Sequence, residues 1–255
     1  MDEIDKRIIY YYLKDSRSSQ RAISNELKIS PQVLKYRFDK MVSSGIIKKF
    51  VLHIDPSLQN LSKAFVAVKS RYDLKNIFAE ISCLEEISIY GIYGTYDEII
   101  GRIKDIKNKL GNLTMEYIPR INDNINITPN DRLIIDELKK DPRKPASDIA
   151  NDLNLSYKFV NRRIDYLMKK HLINVIPIID LSMTDISILA IFSSRFNELK
   201  NIINDISIIN VEDQNYGLAI LLSENLLNAK AIIDKCRSVD PNVNVMVVYN
   251  YSFYS

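Results

Sequence analysis

Residues 30–47 read SPQVLKYRFDKMVSSGII, and this stretch decides the fold. Ser30 followed by Pro31 is typical of a helix N-cap and of the first helical position. The apolar residues after them recur at helical spacing: Leu34, Phe38 and Met41. Gly45 is typical of the residue that ends a helix. The sequence therefore predicts a helix that begins at Pro31 and ends just before Gly45.

Two shorter helices and a strand flank this helix. Asp2 is the expected N-cap of the first helix, and Ser18 or Ser19 begins the second, QRAISNEL. After the third helix, IIKKFVLHID (46–55) alternates between apolar and polar residues as a strand does. Three short helices and a basic strand predict a winged helix-turn-helix.

The same pattern occurs twice in the chain. Placing Asp5 on Asp131 aligns about forty residues without a gap, at a constant offset of about 126. Many aligned pairs are identical, including Ile8/Ile134, Ile9/Ile135, Lys14/Lys140, Arg17/Arg143, Asn25/Asn151, Ser30/Ser156, Arg37/Arg163 and Asp39/Asp165. The polar stretch RINDNINITPND (120–131) joins the two copies. Copy two is therefore expected to repeat the winged helix-turn-helix, with its third helix from about Tyr157 to Lys170.

After each winged helix the chain predicts the order strand, helix, strand, strand, helix, strand, which is the ferredoxin-like βαββαβ arrangement. In copy one we assign these elements to 63–70, 74–82, 86–93, 96–104, 105–111 and 114–121. The predicted fold class is α+β, a tandem repeat of a winged helix-turn-helix followed by a ferredoxin-like domain. The domain bounds are 1–54, 55–127, 128–180 and 181–255.

One face of each antiparallel sheet is expected to be covered by its own helices. The other face carries residues such as Phe65, Ala67, Ile220 and Val247, and it needs a partner, normally another sheet. We therefore expect the two sheets to pack face to face within one chain.

Composition and charge narrow the function classes. The net charge is +5 over residues 1–50, −1 over 51–127, +2 over 128–180 and −3 over 181–255, so the charge alternates with the repeat.

Cys83 and Cys236 cannot form a disulfide framework, which favours a reducing cytoplasm. Only His53 and His171 are available as imidazole ligands, which argues against structural zinc. The chain lacks an 18-residue apolar run, so we expect neither a membrane span nor a signal peptide. It also lacks a P-loop and a Rossmann glycine run, and we expect no cofactor.

ISPQVLKYRFDKMVSSGIIKKF (29–50) followed by GTYDEIIGRI (94–103) resembles the Lrp/AsnC family of feast/famine regulators. Members of this family join a winged helix to a βαββαβ effector and dimerisation domain and form homodimers. The resemblance implies a transcription regulator that binds double-stranded DNA. It also implies a small-molecule effector such as an amino acid. This chain departs from the family in carrying two units, which predicts an intramolecular pseudo-dimer that could assemble further into a homo-oligomer.

Helix geometry assigns candidate DNA contacts in copy one. Residues near the start of the third helix are predicted to contact bases: Gln32, Lys35 and Tyr36. Basic residues around it are predicted to contact the phosphate backbone: Arg17, Arg21, Lys40, Lys48 and Lys49. Arg37 lies closer to the apolar stripe and could serve either role or pack its stem.

Copy two offers an equally basic third helix but a less basic strand. Its predicted DNA contacts are Lys158, Asn161, Arg162, Arg163 and Lys169. Asn174 and Val175 replace the two strand lysines, Lys48 and Lys49. His171 replaces Gly45, and it either contacts phosphate in a pH-sensitive way or interacts with the helix dipole.

The family resemblance places an effector site at Gly94, Tyr96 and Asp97, where Asp97 could bind an ammonium group. The alternative is that Gly94 supplies a positive φ in a hairpin turn while Asp97 bonds to the backbone. We align this turn with DQNYG (213–217), which keeps Tyr216 but not the pattern.

Two other function classes remain open. Sirohaem decarboxylases resemble the same family and act on an anionic tetrapyrrole, but His53 is the single candidate residue and Asp55 and Asp180 would repel a carboxylate. The chain could instead be a protein-interaction module with vestigial helix-turn-helices. We expect a DNA-binding regulator that is not an enzyme.

Overall fold

The structure is a computed structural model that describes residues 1–119, 127–213 and 216–254. Most of the predicted linker, 120–131, lies outside the described residues. Copy one begins with three helices, α1 (Glu3–Lys14), α2 (Gln20–Leu27) and α3 (Pro31–Ser43), and the strand β1 (Ile47–Ile54). The side chains of Asp2, Ser19 and Ser30 cap these helices by accepting backbone N–H bonds from their first turns, as their positions in the sequence predict.

The sheet of copy one differs from the predicted order. Its elements are β2 (Ser62–Lys69), β3 (Ile77–Cys83), β4 (Ile87–Gly94), α4 (Tyr96–Leu110) and β5 (Met115–Tyr117). The helix predicted at 74–82 is wrong, because IFAEISC pairs as β3 with strands on both sides. The strand predicted at 96–104 is also wrong. Thr95 and Glu98 form a capping box there, and one helix continues to Leu110.

Copy two follows the predicted order throughout. Its elements are α5 (Pro129–Lys140), α6 (Ala146–Asp152), α7 (Tyr157–Lys169), β6 (Ile173–Ile179), β7 (Ser187–Ser193), α8 (Phe196–Ile203), β8 (Ser207–Glu212), β9 (Gly217–Ser223), α9 (Leu226–Val239) and β10 (Asn244–Phe253). Copy two therefore has the full βαββαβ arrangement. In copy one a connection over 70–76 replaces the first helix. The fold class is confirmed.

The two copies share one antiparallel sheet with strand order β5-β2-β4-β3-β10-β7-β9-β8. β3 pairs with β10, which places Ile81 opposite Tyr251 and joins the copies by backbone hydrogen bonds. Inner-face residues of both halves, such as Phe65 and Ile220, belong to one apolar core. The Tyr117 ring of β5 lies 5.9 Å from the Phe192 ring of β7. The two halves therefore face each other, as expected, but they belong to one continuous sheet.

Val247 lies on the opposite face from the one expected. It pairs with Leu189 of β7, and both pack against the helices α8 and α9 of copy two. The neighbouring Met246 pairs with Ala190 and faces the shared core instead. Because successive strand residues alternate between faces, a one-residue difference in register accounts for the error.

The two winged helices are also joined by strands. β1 pairs antiparallel with β6, from Ile47 opposite Ile179 to Ile54 opposite Ile173. In addition, α1 packs across the chain on β8 and β9 of copy two. The first winged helix therefore contacts the sheet of the other copy.

Candidate DNA-binding surface

Helix α3 has one buried stripe and one exposed polar stripe. Leu34 and Met41 are buried, and Phe38 is partly buried. On the opposite side Gln32, Lys35 and Lys40 are exposed, and Tyr36 is 69% exposed. An aromatic ring this exposed on a packed helix is available for an external contact. The ammonium of Lys35 lies 2.8 Å from the Asp39 carboxylate, an exposed pair on the same helix.

Helix α7 repeats this arrangement with different exposed side chains. Val160, Ile164 and Leu167 are buried. The exposed residues include the predicted contacts Lys158, Asn161, Arg162 and Lys169. The amide of Asn161 donates to the Asp165 carboxylate at 3.2 Å. Both third helices therefore present polar and basic side chains outward, but they present different ones.

Arg37 and Arg163 do not belong to these exposed stripes. Each forms an ion pair inside the chain. Nη1 of Arg37 lies 2.6 Å from Asp2 and 2.7 Å from Asp5, at the start of α1. Arg163 contacts both carboxylate oxygens of Asp131 at 2.7 Å, and Asp131 is fully buried. Burial opposes ionisation of Asp131, but hydrogen bonds from Arg163 and Thr128 outweigh it and lower its pKa.

These two ion pairs are equivalent in the repeat. Asp5 aligns with Asp131 and Arg37 aligns with Arg163, and all four residues are visible as identities in the sequence. An acidic and a basic residue that are both identical between the copies could have indicated an ion pair between the first and third helices of each copy. Each pair orients the third helix, so DNA contact by Arg37 or Arg163 stays a prediction that competes with an internal partner.

Arg17 binds the other copy of the repeat. Its Nη1 donates to the carbonyl oxygen of Pro142 at 2.7 Å, and its Nη2 donates to that of Lys144 at 2.8 Å. The guanidinium predicted to contact phosphate therefore has two partners within the chain. Phosphate contact by Arg17 would require breaking those bonds.

Arg143 occupies the equivalent position in copy two and reaches into copy one. Its guanidinium carbon lies 4.6 Å from the ring centroid of Tyr12, 5.3 Å from that of Phe38 and 4.6 Å from that of Phe50. Cation–π contacts of this kind are stronger when the cation is desolvated. We call Arg17 and Arg143 the cross-repeat arginines, because each joins its own helix-turn-helix to the other one.

A groove of about 650 Å³ lies between the two helix-turn-helices. One wall is the α1–α2 turn of copy one, including Ser18 and Ser19. The other wall is one side of α7, including Tyr157 and Asn161. Asn161 therefore borders the groove, whereas Lys158 and Arg162 do not line it.

The other residues predicted to contact the DNA phosphate backbone have exposed side chains. Arg21 on α2 and Lys49 on β1 are exposed. Lys48 is exposed as well, and its ammonium lies 3.0 Å from the Asp180 carboxylate. At the equivalent positions of β6, Asn174 is partly buried and Val175 is buried. The basic strand exists in copy one alone, as the sequence indicates.

The predicted effector residues lie where a strand meets a helix. Gly94 ends β4 and Thr95 caps α4, while Tyr96 and Asp97 in the first turn are exposed. The hairpin-turn alternative is wrong, because Gly94 has no positive φ. The alignment with 213–217 is also wrong, since that segment connects β8 to β9 and the equivalent connection in copy two is 224–225.

His53 packs against aromatic rings, and His171 follows the end of a helix. The His53 ring lies 5.1 Å from Phe78 and 6.1 Å from Phe253, and burial lowers its pKa to about 4. His53 is therefore neutral near pH 7. His171 lies two residues after the end of α7 and has a φ of 55°, the left-handed region that Gly45 adopts after α3. In the described part of the chain, each helix is too short or too polar to cross a lipid bilayer.

A family model described as winged helix-turn-helix DNA-binding matches the chain twice, at residues 1–48 and 127–174. The chain is 29% identical over 145 residues to an uncharacterised HTH-type transcriptional regulator of Pyrococcus horikoshii, covering 55% of this chain and 95% of that protein. It is 32% identical over 100 residues to the HTH-type transcriptional regulator LysM of Sulfurisphaera tokodaii, covering 38% of this chain and 70% of that protein. Among solved structures, the siroheme decarboxylase NirDL is similar with a TM-score of 0.45 and 11% identity, over 100% of this chain and 95% of that one.

Proposed function

Because the chain belongs to the Lrp/AsnC family of HTH-type transcription regulators, we propose that one chain binds one duplex DNA site through two unlike recognition helices, α3 and α7. The covalent repeat takes the place of a homodimer. Gln32, Lys35 and Tyr36 contact bases in one half of the site, and Lys158, Asn161 and Arg162 contact bases in the other.

The observation that carries this proposal is the pair of cross-repeat arginines. Arg17 and Arg143 each join one helix-turn-helix to the other, and β1 pairs with β6 between the same two units. These contacts favour a fixed distance between α3 and α7. A fixed distance between recognition helices corresponds to a fixed spacing of half-sites on DNA.

Phosphate contacts in this proposal come from side chains that remain exposed. Arg21, Lys40, Lys48 and Lys49 supply them in copy one, and Lys169 supplies one in copy two. Arg17, Arg37 and Arg163 act instead by positioning the helices, because each is partly buried and has partners inside the chain.

We also propose that the chain responds to a small effector and catalyses no reaction. Gly94, Tyr96 and Asp97 remain the proposed effector residues, since Tyr96 and Asp97 are accessible beside the strand–helix junction. Adding iron uroporphyrin tests the decarboxylase alternative. We expect the tetrapyrrole spectrum to be the same with and without the protein, and a protein-dependent Soret shift would favour the enzyme.

The salt dependence of duplex binding tests the DNA-binding proposal. Wild type should bind duplex DNA with a steep log–log salt slope, and Lys40→Ala should reduce that slope by about 0.9 because one phosphate contact is lost. Lys235→Ala on the outer surface of α9 is the matched control and should leave the slope unchanged. A wild-type chain that fails to bind duplex DNA at low salt would contradict the proposal.

A further inference from the structure

Leu13 and Lys139 occupy equivalent positions in the repeat. The end of α1 reads YYYLK (10–14), and the end of α5 reads DELKK (136–140) at the same offset of 126. The helix surface that is apolar in copy one is therefore charged in copy two. The two positions also differ in what surrounds them.

At the copy-one position the contact between helix and sheet is closed. Leu13 is 3% exposed and packs against the inner face of the copy-two half of the sheet, including Ile188, Ile208 and Ile220. The space that remains beside it has a volume of about 10 Å³. An apolar side chain here completes the shared core.

At the copy-two position the corresponding space is open. A cavity of about 390 Å³ lies between α5, the connection from β1 to β2 and the copy-one half of the sheet. Its walls combine apolar and polar side chains, with Phe78, Ile77 and Leu61 among the apolar ones. Tyr93, Tyr254 and Gln59 add polar atoms, and Lys139 is its one charged lining residue in the described part of the chain.

We propose that this cavity binds a small organic monocarboxylate with an aromatic or branched aliphatic body. The Lys139 ammonium binds the carboxylate, and the apolar walls around Phe78 and Leu61 contact the body. The cavity volume falls within the range of small-molecule sites, and a few polar groups on apolar walls are typical of them. A ligand amine would meet the Lys139 charge, and Asp136, the carboxylate paired with Lys139, does not line the cavity.

The ammonium of Lys139 is available for this contact. Its present partner is Asp136, at 2.8 Å and one turn earlier on the same helix, with both side chains at least half exposed. Exposed pairs of this kind contribute little free energy, so a ligand carboxylate can replace Asp136. Lys140, the next residue, pairs with Glu137 and does not line the cavity.

The position of the cavity indicates what a bound ligand would change. Because the cavity lies between the second helix-turn-helix and the copy-one half of the sheet, a ligand there adds contacts across that junction. We therefore expect saturating carboxylate to raise the melting temperature of the whole chain. Binding to this cavity does not depend on DNA binding, so its failure would leave the proposed DNA-binding function untouched.

Calorimetric titration of the full chain, without DNA, tests the site with a matched ligand series. 3-Phenylpropanoate should bind saturably, whereas 3-phenylpropanamide and 3-phenylpropylamine should bind at least about tenfold more weakly because they lack the charge-assisted contact. Lys139→Met should lose about tenfold in carboxylate affinity, and Lys140→Met should bind like wild type. Gln59→Trp, at the exposed rim, should block binding while the melting temperature without ligand stays unchanged.

Three results would overturn the proposal. The first is the absence of saturable carboxylate binding to wild type at millimolar concentrations. The second is equal affinity of the amine and the carboxylate. The third is wild-type affinity in Lys139→Met or in a folded Gln59→Trp.

Discussion

At the scale of single residues, Arg163 and Arg37 make the same contact in different surroundings. Asp131 is fully buried beneath Arg163, whereas Asp2 and Asp5 beside Arg37 are partly exposed. Removing one partner of a buried ion pair leaves the other charge away from water and without compensation. Removing one partner of an exposed pair leaves a charge that water solvates.

We therefore expect Arg163→Ala to lower the free energy of unfolding by about 3 kcal/mol and Arg37→Ala by about 1 kcal/mol or less. Chemical denaturation of both variants measures the difference. Equal losses of unfolding free energy in the two variants would show that the burial of Asp131 does not determine how much its ion pair with Arg163 stabilises the fold.

His53 makes stability depend on pH. Burial lowers its pKa from 6.5 to about 4, so the unfolded chain binds more protons than the folded chain between these values. Its contribution is fully present above pH 6.5 and is lost as the pH falls through 4, at up to about 1.4 kcal/mol per pH unit. His53→Leu should show a flatter loss of stability from pH 7 to pH 4. Parallel curves for wild type and variant would exclude a depressed pKa at this residue.

At the scale of elements, Arg143 links the second helix-turn-helix to three aromatic residues of the first. Lysine cannot stack a planar guanidinium on those rings, so Arg143→Lys should lower the free energy of unfolding by about 1 kcal/mol. It should also let the protein tolerate DNA sites whose half-sites are one or two base pairs further apart. Arg132→Lys, exposed on α5, is the control for both measurements. Unchanged spacing preference in Arg143→Lys would show that β1–β6 pairing alone sets the distance.

The helix-turn-helix elements could be predicted from the sequence because their signals are local. Ser30-Pro31 and Ser156 mark the helix starts, and the 126-residue offset transfers each assignment to the other copy. The region 74–104 could not be assigned in the same way. IFAEISC lies between β4 and β10, so pairing with a distant part of the chain determines that it is a strand.

The candidate DNA contacts also differ in whether local sequence determines their environment. Exposure of Gln32, Lys35 and Tyr36 follows from helical periodicity, and the structure agrees with it. The partners of Arg17 lie 125 and 127 residues away, so local pattern could not reveal them. The identical pair Arg17/Arg143 was the available signal, since two equivalent arginines at a pseudo-symmetric contact can each bind the other copy.

At the scale of the whole molecule, the two copies are joined but are not equivalent. The shared sheet, the β1–β6 pair and the cross-repeat arginines connect them. The core of the first helix-turn-helix is continuous with the core between the sheet halves, whereas the second has a core of its own. The exposed residues of α3 and α7 also differ, and the strand lysines occur in copy one alone. A homodimer reads a palindrome, but this chain should read two unlike half-sites.

Selection of bound duplexes from a random DNA pool, followed by affinity measurements on the selected site, tests this claim most directly. We expect one chain per duplex and two different half-sites at a fixed spacing. Lys35→Ala with Tyr36→Ala should relax base preference in one half-site, and Lys158→Ala with Arg162→Ala should relax it in the other. The first pair should cost more affinity, because copy one also supplies Lys48 and Lys49. A perfect palindrome bound by two chains, with both double variants equally impaired in both half-sites, would contradict the account.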